Sequence, residues 1–339
     1  MSGGGAAQAR RLAGTVVTED GAEIVVYTHG APDAEATVVL SHGWTMSALG
    51  WRPHIDALTR PRPGFPALRA VSYDQRGHGR STRGRAVLDM EVLGRDLELV
   101  LRQATVPEDG PVLVVGHSMG GMAVQQLAAV RPELIGTWVS GVGLFSTCLD
   151  EVGPVPAEPP DRPAHRRTHA ERWLADGLLR SPSWAKAVHR LLTGPLSHPS
   201  AAPLWRALFG PGPQTETVRA DARSLRDIPP LTVAEFYAAL TLHDCAGRLG
   251  ALGRVPTRIL VGALDCYTPP AQAARLADDI PGATLHTVPN QGHDLPYERP
   301  VLVVETVQAL LRDLRDLRDL RETPRTPDSD LAQPMAAAQ

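Results

Sequence analysis

Gly116-His117-Ser118-Met119-Gly120 constrains this chain more than any other stretch, because of what flanks it. In front runs Pro111-Val112-Leu113-Val114-Val115, short, apolar and β-branched, with the character of a buried strand. Behind it, Met119 to Val130 is rich in Ala, Gln and Leu and reads as a helix stopped before Pro132. Strand, sharp turn and helix, in that order, force the central residue of a G-x-S-x-G run to the apex of a strained elbow. The glycines are needed because a bulkier neighbour would strike strand or helix. Ser118 is therefore a candidate nucleophile; the competing reading is a glycine-rich turn with an idle serine.

The rest of the chain supplies the sheet that such an elbow needs. Val16 to Thr18 and Glu23 to Thr28 read as a β-hairpin around Glu19-Asp20-Gly21-Ala22. Thr37 to Leu40 is a short strand running into Ser41-His42-Gly43-Trp44. Trp51 to Arg60 is helical, Ala70 to Asp74 is a strand, and the loop Gln75-Arg76-Gly77-His78-Gly79-Arg80-Ser81 follows. Met90 to Gln103 has helical spacing, and Thr137 to Val142 reads as the strand after the elbow helix. Strands alternating with helices imply a parallel sheet with right-handed crossovers.

That alternation stops at the proline-rich Gly153–Pro160 stretch. From Ala164 to Cys245 the pattern is helical, broken by Pro182, Pro195, Pro203 and Gly210-Pro211-Gly212-Pro213, and it holds Trp173, Trp184, Trp205, Phe209, Phe236 and Tyr237. Individually these aromatics suit packing; together they suit a lid facing an apolar pocket. Strand character resumes at Thr257-Arg258-Ile259-Leu260-Val261 and ends in Gly262-Ala263-Leu264-Asp265. Ala271 to Asp279 is helical, Ala283 to Val288 is the last strand, and Val301 to Glu322 is a closing helix whose Arg-Asp-Leu repeat favours a solvated face. The division expected is a core in two parts, 14–145 and 246–322, a helical cap over 146–245, and flexible tails at 1–13 and 323–339.

Composition narrows the partners. The 339 residues suffice for one large α/β domain with an insertion, or for two small domains, and 43% are apolar. A net charge of −3, spread along the chain, gives no reason to expect nucleic acid or an anionic membrane. Lys186 is the only lysine, so arginine placement says little about anion binding. Cys148, Cys245 and Cys266 are too few and scattered for a disulfide framework or a zinc site. With no h-region near the N-terminus and no run of about twenty apolar residues, a cytoplasmic protein without a membrane span is the expectation. Neither metal-ligand spacing nor a G-x-G-x-x-G phosphate loop is found, so no metal and no cofactor are expected.

A serine hydroxyl is a weak nucleophile until a histidine takes its proton and a carboxylate orients that histidine. On an open parallel sheet, reactive groups gather at the carboxyl ends of strands. Asp265 sits at such an end, and His293 sits in the loop after the last strand. The order Ser118, Asp265, His293 makes these three the catalytic candidates. Competitors stay in view: His286 within a strand, His243-Asp244 in the insertion's last helix, Asp294 beside His293, and Asp150 after an earlier strand. His117 reads as filler beside the nucleophile. Charge developing on a carbonyl oxygen needs backbone donors; Met119 N–H and Trp44 N–H, after the tight His42-Gly43 bend, are the candidates for this oxyanion hole.

Ser41–Trp44, Tyr73–Ser81, Gly116–Gly121, Gly262–Asp265 and Gly292-His293 together resemble the α/β-hydrolase superfamily, over residues 14–311. The likeness is greatest to capped serine hydrolases such as bacterial carboxylesterases, lipase-like enzymes and haloperoxidase-like proteins. It implies an α/β-hydrolase fold: a mostly parallel eight-stranded sheet flanked by helices, with a helical cap insertion. It also implies that the Asp74-to-Ser81 loop is structural, held by Arg76 and His78. A serine at the elbow sets the chain apart from relatives with aspartate or cysteine there. Hydrolysis of an ester-type acyl bond in a small-molecule substrate is the activity implied. Perhydrolase or haloperoxidase chemistry, carbon–carbon bond hydrolysis and a non-catalytic ligand-binding role on the same fold are the alternatives.

Overall fold

In parallel strands buried on both faces, successive side chains enter opposite cores, and this sheet is built that way. The computed structural model describes residues 11–61, 65–150 and 224–322, with isolated positions between 152 and 187. Its strands are β1 (Arg11–Val17), β2 (Glu23–His29), β3 (Thr37–Ser41), β4 (Arg69–Tyr73), β5 (Val112–His117), β6 (Gly141–Phe145), β7 (Thr257–Gly262) and β8 (Thr284–Val288). They form one eight-stranded sheet in the order β1-β2-β4-β3-β5-β6-β7-β8. The β1/β2 and β2/β4 pairs are antiparallel, and every other pair is parallel. Every residue of β5, at the centre, is buried.

Two helical layers cover the faces. Val39, Val71, Val112, Val114, Val142 and Ile259 pack on one side with Leu97 and Leu101 of α2 (Met90–Ala104), Val124 and Leu127 of α3 (Met119–Val130) and Leu276 of α5 (Pro270–Asp279). Val38, Leu40, Leu113, Val115 and Leu260 face the other side, against Ile55 and Leu58 of α1 (Arg52–Leu58) and Val303, Val307 and Leu310 of α7 (Pro300–Glu322). Asp89 caps α2 by accepting the Val92 N–H at 2.7 Å, which satisfies one of the free donors at the helix start. Farther along the chain lie α4 (Pro230–Leu240) and α6 (Leu295–Glu298). No helix among the described residues is long and apolar enough to cross a membrane.

Several expected boundaries move. β1 begins at Arg11, inside what was expected to be a flexible tail, and pairs with β2 from Arg11↔Thr28 onward. The strand expected over 137–142 is β6, shifted to Gly141–Phe145. Trp138 and Val139 both donate to the Leu134 carbonyl at 2.9 Å, so a turn consumes them, and ladder pairing starts only beyond it. The expected helix from Trp51 is a 3₁₀ turn at Ala48–Trp51 followed by α1. His243 lies past the end of α4, buried, in place of the helix expected to hold it. Trp173, Trp184, Trp205 and Phe209 lie outside the described residues, as do 1–10 and 323–339. The 146–245 insertion is therefore represented mainly by its flanks and by α4.

The loop after β4 is held by charge. Arg76, 1% exposed, donates to both Asp96 oxygens at 2.6 and 2.7 Å and to Asp20 Oδ2 at 3.0 Å. Asp20 also accepts from the Arg85 and Ala86 N–H groups, each at 2.8 Å. One guanidinium thus ties the β1–β2 hairpin, the β4 loop and α2 together. Burial alone would raise the Asp20 pKa, but Arg76, Thr18 and Ala86 outweigh it and hold the carboxyl well below the ordinary carboxylate range. A depressed folded-state pKa stabilises the fold above the unfolded value, near about 4, and that stabilisation is lost as pH falls through the folded value. Asp20→Asn should therefore lower Tm at neutral pH. Thermal melts across pH should show the gap between variant and wild type closing below about pH 4; a gap that stays constant into acid would contradict the linkage.

Candidate active site

The elbow is built by contacts that exclude side chains. Ser118, the residue between β5 and α3, has φ 51° and ψ −119°, a conformation that costs a non-glycine residue about 1–3 kcal/mol. Its N–H donates to the Phe145 carbonyl at 2.9 Å, and its own carbonyl accepts from Gly121 N–H at 2.8 Å and Thr147 Oγ1 at 3.0 Å. A Cβ on Gly116 would lie 2.6 Å from the Gly120 carbonyl oxygen. One on Gly120 would lie 2.7 Å from the His42 carbonyl oxygen and closer still to that of Ser41. The start of α3 is therefore pressed against the end of β3, and the turn between has one way through.

Ser118, Asp265 and His293, remote in sequence, meet at the carboxyl edge of the sheet. Ser118 Oγ and His293 Nε2 are 3.0 Å apart, and His293 Nδ1 lies 2.9 Å from Asp265 Oδ2 and 3.1 Å from Oδ1. Asp265 is 3% exposed, and its remaining acceptor sites are filled by its own turn: Tyr267 and Thr268 N–H groups reach Oδ1 at 2.9 Å, and Thr268 Oγ1 donates to Oδ2 at 2.8 Å. Burial pushes its pKa up, but the His293 ring and these donors outweigh that and hold it below the ordinary carboxylate value. Thr268 was not among the sequence candidates. Its signal was a D-x-x-T spacing, the pattern by which an aspartate accepts from N–H groups two and three residues on.

The other candidates have different surroundings. Asp150 forms a two-pronged ion pair with Arg275, one contact at 3.0 Å. His286 lies on β8 opposite Leu260, exposed. His243 sits 3.4 Å from Gln125 Oε1, with burial pushing its pKa down to about 4. The Asp294 carboxylate is 3.8 Å from His117 Nε2. His117, read as filler, donates from Nε2 to the His293 carbonyl at 3.0 Å and so steadies the chain that carries that ring. Burial holds the His117 pKa near 3, keeping the ring neutral.

Met119 N–H is the first of α3 and has no partner within the helix. The Trp44 N–H belongs to the Gly43–Trp44 peptide, whose carbonyl accepts from His42 Nδ1 at 2.8 Å and from Met46 N–H at 3.3 Å. Gln75 N–H donates to His42 Nε2 at 2.9 Å, which leaves the ring proton on Nδ1. A trans peptide points its N–H opposite to its carbonyl, so fixing Gly43 O fixes the direction of the Trp44 donor. α4 covers this region: Arg83 grips Glu235 through two 2.7 Å bonds, and the Tyr237 and Trp44 rings lie 5.4 Å apart. Among the described residues, no group of three or more His, Cys, Asp or Glu side chains is placed to hold a metal ion.

The sequence profile described as "Alpha/beta hydrolase family" matches residues 38–306. The chain belongs to the alpha/beta hydrolase family. Among curated relatives, a provisionally assigned carbamate hydrolase, RutD of Variovorax paradoxus, is 28% identical over 283 residues, 78% of this chain and 87% of that protein. The sn-1-specific diacylglycerol lipase ABHD11 of Mus musculus is 24% identical over 294 residues, covering 82% and 83%. Among solved structures, a thermophilic esterase from Thermogutta terrifontis superposes with a TM-score of 0.64 at 21% identity, over 90% of this chain and 99% of its own. Hydrolase chemistry is therefore the family's setting for this site.

Gly120→Ala tests the elbow's close approach. The added methyl meets backbone on two sides, which cannot swing away. A loss of about 1–3 kcal/mol is expected, read as a lower denaturation midpoint. An unchanged midpoint would mean that α3 and β3 are not pressed together.

Proposed function

We propose that this chain is a serine hydrolase that cleaves ester-type acyl bonds of small substrates through an acyl-enzyme intermediate. The observation that carries the reading is the line from Ser118 Oγ to His293 Nε2 to Asp265, 3.0 and then 2.9 Å. His293 Nε2 takes the hydroxyl proton as Oγ bonds to the substrate carbonyl carbon. The carbonyl electron pair moves onto oxygen, where the Trp44 and Met119 N–H groups receive it. Collapse expels the leaving alcohol, which takes the proton from His293. A water then repeats the cycle on the acyl-serine, releasing the acid and restoring Ser118. Asp265 keeps the imidazole's Nδ1–H pointed at itself and steadies the positive ring.

The insertion over 146–245 acts in this reading as the cap that shapes the acyl site. Its support is the seating of α4 against Trp44 and against the loop bearing Gly77, where a Cβ would lie 2.6 Å from Thr232 Cγ2. The relatives are named for a carbamate, a diacylglycerol and an ester, which differ in the group attached to the acyl carbon. The acyl bond is therefore the level at which the substrate is named.

Ser118→Ala should abolish hydrolysis of short p-nitrophenyl esters while the protein stays folded; in a comparable triad enzyme the loss was about a million-fold in kcat. Retained turnover would sink the reading. Asp265→Asn should cost up to about ten-thousand-fold in kcat by turning the His293 ring the wrong way, whereas Asp150→Asn should be mild because its partner is Arg275. The reverse ranking would move the acid to β6.

The pH profile follows from the same roles. His293 must be neutral to accept the proton, so kcat/KM should fall as pH drops and it becomes charged. Burial pushes His42 to about 4 and His117 to about 3, and Asp265 stays ionised, so none of them titrates near neutrality. The acid limb above about pH 5 should therefore have the slope of a single proton. A two-proton slope would implicate a second histidine.

A further inference from the structure

Thr45 is an unlikely residue for its backbone. Met46 N–H reaches the Gly43 carbonyl at 3.3 Å, closing a tight turn in which Thr45 takes φ 64°. That position of such a turn suits glycine or asparagine; a β-branched side chain there is strained. Something must hold it, and the group in contact is His78. The Thr45 N–H donates to His78 Nε2 at 3.3 Å, while His78 Nδ1 donates to the Arg76 carbonyl at 2.9 Å. The second bond sets the tautomer that leaves Nε2 free to accept. Burial, with His42 beside it, holds the His78 pKa near 3, so the ring stays neutral at neutral pH. The ring is wedged between His42, 5.4 Å away, and Phe236 of α4, 5.0 Å away. His78 thus stands on the Arg76–Asp96 anchorage and reaches the peptide next to the one bearing the Trp44 donor.

We propose that His78 is a positioning residue for the oxyanion site: by accepting the Thr45 N–H it keeps Thr45 left-handed and the Trp44 N–H aimed at the substrate's carbonyl oxygen. This rests on the serine-hydrolase reading above. His42 fixes one peptide of the turn through the Gly43 carbonyl, and His78 fixes the next through its N–H. With both peptides held, the Trp44 donor has no freedom to rotate. Without His78, strain relief at Thr45 swings the Trp44–Thr45 peptide and opens the turn. That removes the Met46 N–H from Gly43 O and leaves the Gly43–Trp44 peptide to pivot on its single bond from His42, carrying the donor off line. The effect belongs to the transition state, because ground-state binding does not need the oxyanion donor. The position of Phe236 on the same ring places α4 one contact away from this turn.

The test compares His78→Ala with His78→Gln, whose side-chain oxygen can accept the Thr45 N–H in place of Nε2. Removing an oxyanion donor outright costs about 10²–10³ in kcat. Displacing one should cost His78→Ala roughly ten- to hundred-fold in kcat on p-nitrophenyl acetate, with KM little changed. Affinity for a short-chain alkyl trifluoromethyl ketone, whose Ser118 adduct places an alkoxide in the oxyanion site, should fall by a similar factor. His78→Gln should recover most of both. If His78→Ala does not fold, His78→Phe keeps the ring packing, lacks the acceptor and should show the same losses. Unchanged kcat, a loss confined to KM, retained ketone affinity, or equal damage from Gln and Ala would each overturn the proposal. Ser118→Ala separates the two levels: if it stays active, the hydrolase reading fails; if it is dead while His78→Ala binds the ketone normally, only the role of His78 fails.

Discussion

The pressing of α3 against β3 governs the rest of this molecule. No side chain fits between Gly120 and the Ser41 and His42 carbonyls. The elbow must therefore turn through a conformation that a serine takes up only under constraint. The constraint comes from all sides: the Phe145 carbonyl on β6, the Thr147 hydroxyl and the first turn of the helix. A core packed at this density holds one arrangement rather than a range of them. The hydroxyl at the apex inherits that fixity, and His293 meets it without having to search.

Around the elbow, the structure sorts its histidines by burial. His42, His54, His78, His117 and His243 are all pushed towards neutrality, and each has a hydrogen-bonding task with the backbone or an amide. His42 and His78 brace through both ring nitrogens, each donating from Nδ1 to a backbone carbonyl and accepting a backbone N–H at Nε2. His293 differs in having a buried, ionised carboxylate on one nitrogen and a serine hydroxyl on the other. That pairing, rather than burial alone, separates His293 from its neighbours.

Much of this was legible in the sequence, for physical reasons that differ by element. β5 and α3 were readable because a β-branched run cannot be mistaken for the Ala-rich segment that follows. Asp265 and His293 were readable because strand ends converge on one edge of a parallel sheet. β6 was misplaced because Thr137, Trp138 and Val139 have strand composition, yet local bonds back to Leu134 outcompete the ladder. The left-handed Thr45 was invisible: its side chain argues against its conformation, and the ring its N–H reaches lies 33 positions away in the chain. Thr268 was visible in principle, as a turn pattern following the acid. The 146–245 insertion was the least legible, because a helical pattern interrupted by prolines does not reveal which face it would bury.

Thr45, Ser118, Ser146 and Asn290 are the non-glycine residues with positive φ among those described, and they follow β3, β5, β6 and β8 in turn. The backbone's tension is thus gathered along one rim of the sheet. For anyone seeking a heat-resistant version of this protein, that rim divides the work. Stability can be gained at the opposite end, at the carboxyl ends of the helices and in the loops that lead into the parallel strands, away from the strained residues. Relaxing the rim would relieve strain too, but it would unspring the geometry that brings Ser118, His293 and Asp265 together.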